Sequence, residues 1–278
     1  MSIVLTQLYV PADRPDRVRK ALAGDADVVI IDLEDAVAPA AKESARHGLP
    51  ELIAEFPGRP TQVRVNAVGT PWGAADLVLM AALPTHVELR LPMVNAPADV
   101  EAARAEVGGR AVHVLIETAA GVEAAGEIAR TDGVASVGLG EADLASDLGV
   151  STDDALAWCR QRILVAARAA GLPSPLAPVY LNVHDLDGLA ESTRRARQSG
   201  FVGRAAIHPR QLPVIVAAFA PDPDEVQRAR DVLDSVAQAQ ARGDGTSTLP
   251  DGSFLDVAMV AQARQVIDLD ERTSRQDS

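Results

Sequence analysis

The sequence predicts an α/β protein built as a (β/α)8 barrel of the TIM type, and three observations lead to that prediction. Short apolar runs alternate with alanine-rich amphipathic stretches along nearly the whole chain, which is the pattern of parallel βα units. The runs number eight and are apolar almost throughout, as strands covered on both faces require. The length of 278 residues is close to the roughly 250 of such a barrel.

In chain order the predicted strands are 4–11 (VLTQLYVP), 26–34 (ADVVIIDLE), 61–67 (TQVRVNA), 86–93 (HVELRLPM), 111–118 (AVHVLIET), 134–140 (VASVGLG), 176–183 (LAPVYLNV) and 203–209 (GRAAIHP). Between them lie helical patterns such as RPDRVRKALAG, PADVEAARAEVG and GVEAAGEIART, several closed by a glycine where a left-handed cap belongs. A doubly wound open sheet is the competing architecture, but the first strand runs into PADRPDR and lacks the GxGxxG turn of dinucleotide-binding sheets. The barrel is expected over residues 1–220. Residues 221–278 form a helical extension that packs on the barrel or on a neighbouring subunit, or covers the site.

Twenty-six basic residues against thirty-nine acidic ones give a net charge of -13, a field that repels nucleic acid and anionic lipid. No stretch reaches the roughly 18 apolar residues of a membrane span, and no basic segment precedes the apolar residues of the N-terminus. A cytoplasmic protein without nucleic-acid or membrane partners is expected. Cys159 is the only cysteine, which removes disulfides and thiolate clusters from consideration.

The site of a parallel barrel lies where its strands end, and these strands end in charge. Strand two closes on Asp32, Glu34 and Asp35; strand three carries Arg64 and Asn66; strand five ends in Glu117; Glu141 and Asp143 follow strand six; His208 closes strand eight. Oxygen donors without paired histidines suit a hard cation, and Mg2+ takes only one or two protein carboxylates. Glu117 and Asp143 fit that role, and Arg64 suits a substrate carboxylate. Plainer roles stand beside these: Asp143 as a helix N-cap, Arg64 and Glu34 as a structural ion pair, Asp35 as support for a metal-bound water or Arg64, and His208 as a structural histidine.

The motifs LYVPADRPDRVRKAL, DVVIIDLEDAVAPAAKESAR, VRVNAVGTPWGAADL, LIETAAGV, GLGEADLASDLG, GFVGRAAIHPRQL and DGSFLDVAMVAQA resemble the citrate lyase beta subunit-like branch of the HpcH/HpaI aldolase family. The resemblance spans about residues 5–267. It implies a barrel of the phosphoenolpyruvate/pyruvate superfamily, assembled as a trimer or hexamer, that acts on a coenzyme A thioester with Mg2+ or, alternatively, Mn2+. It also implies Glu117 and Asp143 as metal ligands, Arg64 on the substrate's oxyanion or carboxylate, and Glu34 and Asp35 around the metal waters. Asp256 then serves as a proton-transfer group on a lid, and Arg14 and Lys42 sit near the nucleotide end of coenzyme A.

The activity so implied is cleavage or formation of a 3-hydroxyacyl-CoA such as malyl-, citramalyl- or 3-hydroxy-3-methylglutaryl-CoA, giving acyl-CoA and a keto acid. The alternatives are a malate-synthase or thioesterase type of reaction, and a citrate lyase beta subunit acting with an acyl carrier protein. The chain departs from the family pattern at Pro92-Met93, where relatives read LPK, at Gly203-Arg204 in place of GK, and at Asn182 in place of an aspartate.

Overall fold

Seven of the eight predicted strands form, and all their pairings are parallel. In the computed structural model, which describes residues 3–242 and 257–274, they are β1 (Thr6–Pro11), β2 (Val28–Asp32), β3 (Thr61–Arg64), β4 (Val87–Leu91), β5 (Val112–Ile116), β6 (Val134–Leu139) and β7 (Arg204–Ala206). The sheet order is β6-β5-β4-β3-β2-β1-β7. Each strand to β6 lies beside its predecessor, and β7 returns to β1 through Thr6 and Arg204. The result is a half-barrel with helices between its strands. All five residues of β2 are buried, as its apolar run requires.

The expected strand over 176–183 does not form. Ala177 alone bridges to Arg204, and prolines are the reason, since Pro178 has no N–H to give the ladder. The carbonyls beyond it turn to side chains: that of Pro178 accepts from Arg204 Nη1 at 2.9 Å and that of Tyr180 from Gln211 Nε2 at 2.9 Å.

The helices are α1 (Pro15–Leu22), α2 (Lys42–Ala54), α3 (Gly73–Ala82), α4 (Pro97–Glu106), α5 (Ala119–Ala129), α6 (Glu141–Leu148), α7 (Ala157–Ala169), α8 (Leu186–Ser199), α9 (Gln211–Phe219), α10 (Pro223–Arg242) and α11 (Val257–Ser274). Contacts divide the chain into one unit of Val4–Ile215 and a second made of the N-terminus and the residues from Val216. In the second, α10 and α11 pair through Ala229, Val232 and Ala263, with Leu233, Met259, Val260, Val266 and Ile267 around them. Asp222 and Glu225 start α10 as a reciprocal cap, each accepting the other's N–H. Among the described residues no helix is long and apolar enough to cross a membrane.

The register places one row of residues across the sheet: Pro11 beside Asp32, Asp32 beside Arg64, Arg64 beside Arg90, and Arg90 beside His113. Just past it, a buried network locks the loops that follow β2 and β3. Asp76 on α3 is fully buried and accepts from Asn66 N at 2.9 Å, Asn66 Nδ2 at 2.6 Å and Arg46 Nε at 2.7 Å. Removing the carboxylate leaves the Asn66 N–H and the half-buried Arg46 Nε without this acceptor, while Asn66 Nδ2 keeps only the Leu33 carbonyl at 3.0 Å. Asp76→Ala is therefore expected to lower the unfolding free energy by about 3–5 kcal/mol in a urea titration, and a loss below about 1 kcal/mol would contradict this network.

Candidate active site

Asp32 ends β2 and Arg64 ends β3, and their register brings the two side chains together. Arg64 donates from Nε to Asp32 Oδ1 at 2.8 Å and from Nη2 to Oδ2 at 2.6 Å, a two-point pair. The same carboxylate accepts from the backbone N–H of Glu34 at 2.9 Å and of Ala36 at 3.2 Å, which folds the loop after β2 around it. The guanidinium lies over the Tyr9 ring at 5.2 Å. One edge of Arg64 remains: Nη1 donates to Asp35 Oδ2 at 3.2 Å and stands 2.8 Å from Glu34 Oε2, an ionic contact without hydrogen-bond alignment. Burial works against the charge of Arg64, but the hydrogen bonds and charge of Asp32 hold it protonated. Glu34 has the opposite fate. Burial pushes its carboxyl up to about 8, with Arg64 opposing and Asp35, Glu117 and Asp32 adding to the shift.

Glu117 follows β5 and is 3% exposed. Its Oε2 accepts from the backbone N–H of Met93 at 2.8 Å, and among the described residues its Oε1 accepts no hydrogen bond. Met93 reaches it from a left-handed conformation, φ 56°, which costs an L residue about 1–2 kcal/mol and is concentrated at functional sites. Gly140, after β6, is the other wall: a Cβ there would lie 2.2 Å from Glu117 Oε1. Burial raises the Glu117 carboxyl; Met93 and Arg64 oppose the shift, and Asp143 and Asp35 add to it. Asp143 sits in the first turn of α6, exposed. It is not the N-cap, which is Gly140.

Arg64, Asp35, Glu117 and Asp143 all line one cavity of about 670 Å³ within the unit of Val4–Ile215. Glu34 stands behind it on Arg64. A buried carboxylate with one hydrogen bond and negative neighbours is compensated either by a proton, as the upward shift of Glu117 allows, or by a bound cation. Among the described residues no group of three or more metal-ligating side chains exists; a Mg2+ ion, which keeps several waters, needs only one or two protein carboxylates. Glu141 is taken by Arg160, with Nη2 2.8 Å from Oε2. His208 accepts from Arg210 N at 3.1 Å and does not line the cavity.

Two basic residues lie elsewhere. Lys42 is 5% exposed and its ammonium donates to the carbonyls of Leu33 at 2.9 Å and Glu34 at 2.7 Å and to Asn66 Oδ1 at 2.7 Å. With three donors and three acceptors, it pins the loop after β2 and presents no free proton to a nucleotide. Arg14 is exposed at the N-cap of α1, 3.8 Å from Asp13, and does not line the cavity. Asp256 lies outside the described residues. Two participants were not singled out by the sequence. Asp32 stood among the strand-end acids without a role, and Arg90 is hidden inside the apolar run of strand four.

A model of the HpcH/HpaI aldolase/citrate lyase family matches residues 5–209. A (3S)-malyl-CoA thioesterase of Cereibacter sphaeroides is 34% identical over 269 residues, 94% of this chain and 92% of that protein. An L-malyl-CoA/beta-methylmalyl-CoA lyase of the same species is 30% identical over 296 residues, again 94% and 92%. The crystal structure of CitE from Mycobacterium tuberculosis in complex with magnesium, acetoacetate and coenzyme A superposes with a TM-score of 0.82 at 35% identity, covering 97% of this chain and 98% of that one.

Two outcomes follow from this geometry. Gly140→Ala forces the Glu117 carboxylate aside, and Mg2+ affinity measured by calorimetry is expected to fall by about tenfold or more; unchanged affinity would show that Glu117 is not a ligand. For Glu34 the folded carboxyl near 8 lies above the ordinary 4.5. It thus contributes stability that is present below pH 4.5 and is lost as pH rises through 8. The Tm of the metal-free protein should fall from pH 5.5 to 8.5 on this account, and Glu34→Gln should flatten the fall.

Proposed function

The chain belongs to the HpcH/HpaI aldolase/citrate lyase family, and on that premise we propose that it is a Mg2+-dependent carbon–carbon lyase acting on a 3-hydroxyacyl-CoA thioester. The products of cleavage are an acyl-CoA and a keto acid, and the reverse condensation uses the same groups. Malyl-, citramalyl- and 3-hydroxy-3-methylglutaryl-CoA are the candidate substrates. The observation that carries the reading is Glu117, a buried carboxylate on the cavity wall with a single hydrogen bond.

In this reading Glu117 and Asp143 hold the Mg2+, with Mn2+ as an alternative ion. The bound ion supplies Lewis acidity that lowers the pKa of the substrate hydroxyl and offsets charge on the forming keto acid. Cleavage of the C2–C3 bond requires the hydroxyl proton to leave and places the bond's electron pair on C2 as the enolate of the departing thioester. Arg64 meets that charge with its one remaining edge, Nη1, because Asp32 holds the rest of the guanidinium in place. Glu34 and Asp35 bracket that edge and fix its direction. Asp256 transfers the proton at the α-carbon of the thioester, in either direction. Arg14, exposed at the N-cap of α1, meets the phosphates of coenzyme A. Lys42 acts as a positioning residue for the loop that carries Glu34 and Asp35. The enzyme works in the cytoplasm as a trimer or hexamer.

The likeness to the thioesterase favours one second reading, in which the thioester is hydrolysed instead of, or after, bond cleavage. A third arm, activity only with an acyl carrier protein, corresponds to a citrate lyase beta subunit. All three are separated by incubating the protein with Mg2+ and a panel of 3-hydroxyacyl-CoA thioesters and following products by mass spectrometry. Keto acid and acyl-CoA are expected in equal amounts. Release of free coenzyme A with the hydroxy acid intact selects the thioesterase, and no cleavage with or without a carrier protein overturns the reading. Glu117→Gln and Asp143→Asn should each lose Mg2+ binding and on the order of 10³-fold in rate, whereas Asp256→Asn should lose turnover with Mg2+ binding retained.

A further inference from the structure

Tyr9 and Pro11 are the two residues of β1 left half-buried, and both line the cavity. Tyr9 is held there by charge. The Arg64 guanidinium lies 5.2 Å from its ring centroid and that of Arg90 5.7 Å, distances at which the face of a phenol attracts a cation. Arg90 is itself fixed: it is 6% exposed, contacts no carboxylate among the described residues, and donates from Nη1 to Gln62 Oε1 at 2.9 Å and Gln7 Oε1 at 3.3 Å. Gln7 and Gln62 stand two residues before Tyr9 and Arg64 on their own strands, so they share a face with them. One layer of amides thus anchors the arginine that steadies the ring.

A phenylalanine would fill the same space and meet the same cations. What the tyrosine adds is a hydroxyl. Among the described residues that hydroxyl makes no hydrogen bond, although a phenol in a protein interior ordinarily finds a partner. Asp32 does most to hold Arg64 protonated, and the Tyr9 oxygen is near enough to add to it. An O–H donor without an acceptor therefore stands on the cavity wall close to Arg64. Charge that develops on a carbonyl oxygen is met best by several donors fixed beforehand. Arg64 has only Nη1 left for that task, and this edge already faces Glu34 and Asp35, so it cannot turn wholly to an oxyanion.

We propose that Tyr9 is a further catalytic residue, whose hydroxyl donates a hydrogen bond to the thioester oxygen as charge gathers there in the enolate. It is the second donor beside Arg64 Nη1, and its proton stays on the phenol oxygen throughout. This rests on the lyase reading for the identity of the oxygen, but its test needs no bond cleavage. S-Carboxymethyl-CoA and S-acetonyl-CoA are stable thioethers of the same shape, one ending in a planar anionic carboxylate and the other in a neutral methyl ketone. Calorimetry on the full chain with saturating Mg2+ is expected to show the carboxylate bound about tenfold more tightly or better. Tyr9→Phe keeps the ring and both cation contacts. It should weaken the carboxylate by about tenfold while the ketone and Mg2+ stay within about twofold. On thioesters that the protein cleaves, the same variant should lower kcat by about 10²-fold and leave KM little changed.

No preference for the carboxylate in the unaltered protein, failure of both analogues to bind included, overturns the proposal. So does a variant that keeps the preference, or one that weakens both analogues in parallel, because a ring that merely braces Arg64 would act on both alike. A protein whose preference depends on Tyr9 yet cleaves no thioester retains this inference and loses the lyase reading. One whose Tyr9→Phe variant cleaves thioesters at the unaltered rate does the reverse.

Discussion

The pair between Asp32 and Arg64 is the interaction on which the rest of the cavity depends. Two hydrogen bonds join them across adjacent strands, and Asp32 spends its remaining acceptor capacity on the backbone of the next loop. Removing either partner of a buried pair leaves the other charge uncompensated, at about 3–5 kcal/mol. Here it would also free the turn that carries Glu34 and Asp35. The pair therefore fixes a direction as well as a charge: Arg64 can turn only one edge toward a ligand.

That commitment explains the electrostatics around it. Glu34 stands against the same guanidinium, whose charge opposes the shift, but burial outweighs it and Asp35, Glu117 and Asp32 add to burial. Glu117, after β5, is shifted the same way, chiefly by burial, with Asp143 and Asp35 adding to the shift. The wall as a whole is short of positive charge in the folded chain. A divalent cation held by Glu117 and Asp143 would relieve Glu117 and, through it, Glu34.

Much of this was legible in the sequence because it is written at strand ends. Arg64, Asp35, Glu117 and Asp143 were found by asking where apolar runs stop, and all four line one cavity. Two kinds of residue escaped that question. Lys42 was placed with a nucleotide, but its ammonium is saturated by carbonyls that converge only in the folded loop; nothing in the local sequence distinguishes it from a surface lysine on a helix. Arg90 lies inside a strand, where an arginine reads as one polar residue in an apolar run. Its meaning comes from register, which places it beside Arg64 and across from Gly138. The missing seventh strand is the reverse error. LAPVYLNV has the apolar content of a strand, but its proline breaks the ladder that the content alone suggests.

Register and strain together account for the departure at position 93. The resemblance implies a lysine where this chain has Met93, yet the part of Met93 that reaches Glu117 is its backbone N–H. The left-handed conformation that aims this N–H is a property of the turn between β4 and α4, and Gly140 shapes the opposite side of the same carboxylate with no side chain at all. Support for Glu117 is thus built from backbone on both sides. The side chain at 93 is 38% exposed, so it can vary without disturbing the carboxylate that its backbone N–H holds.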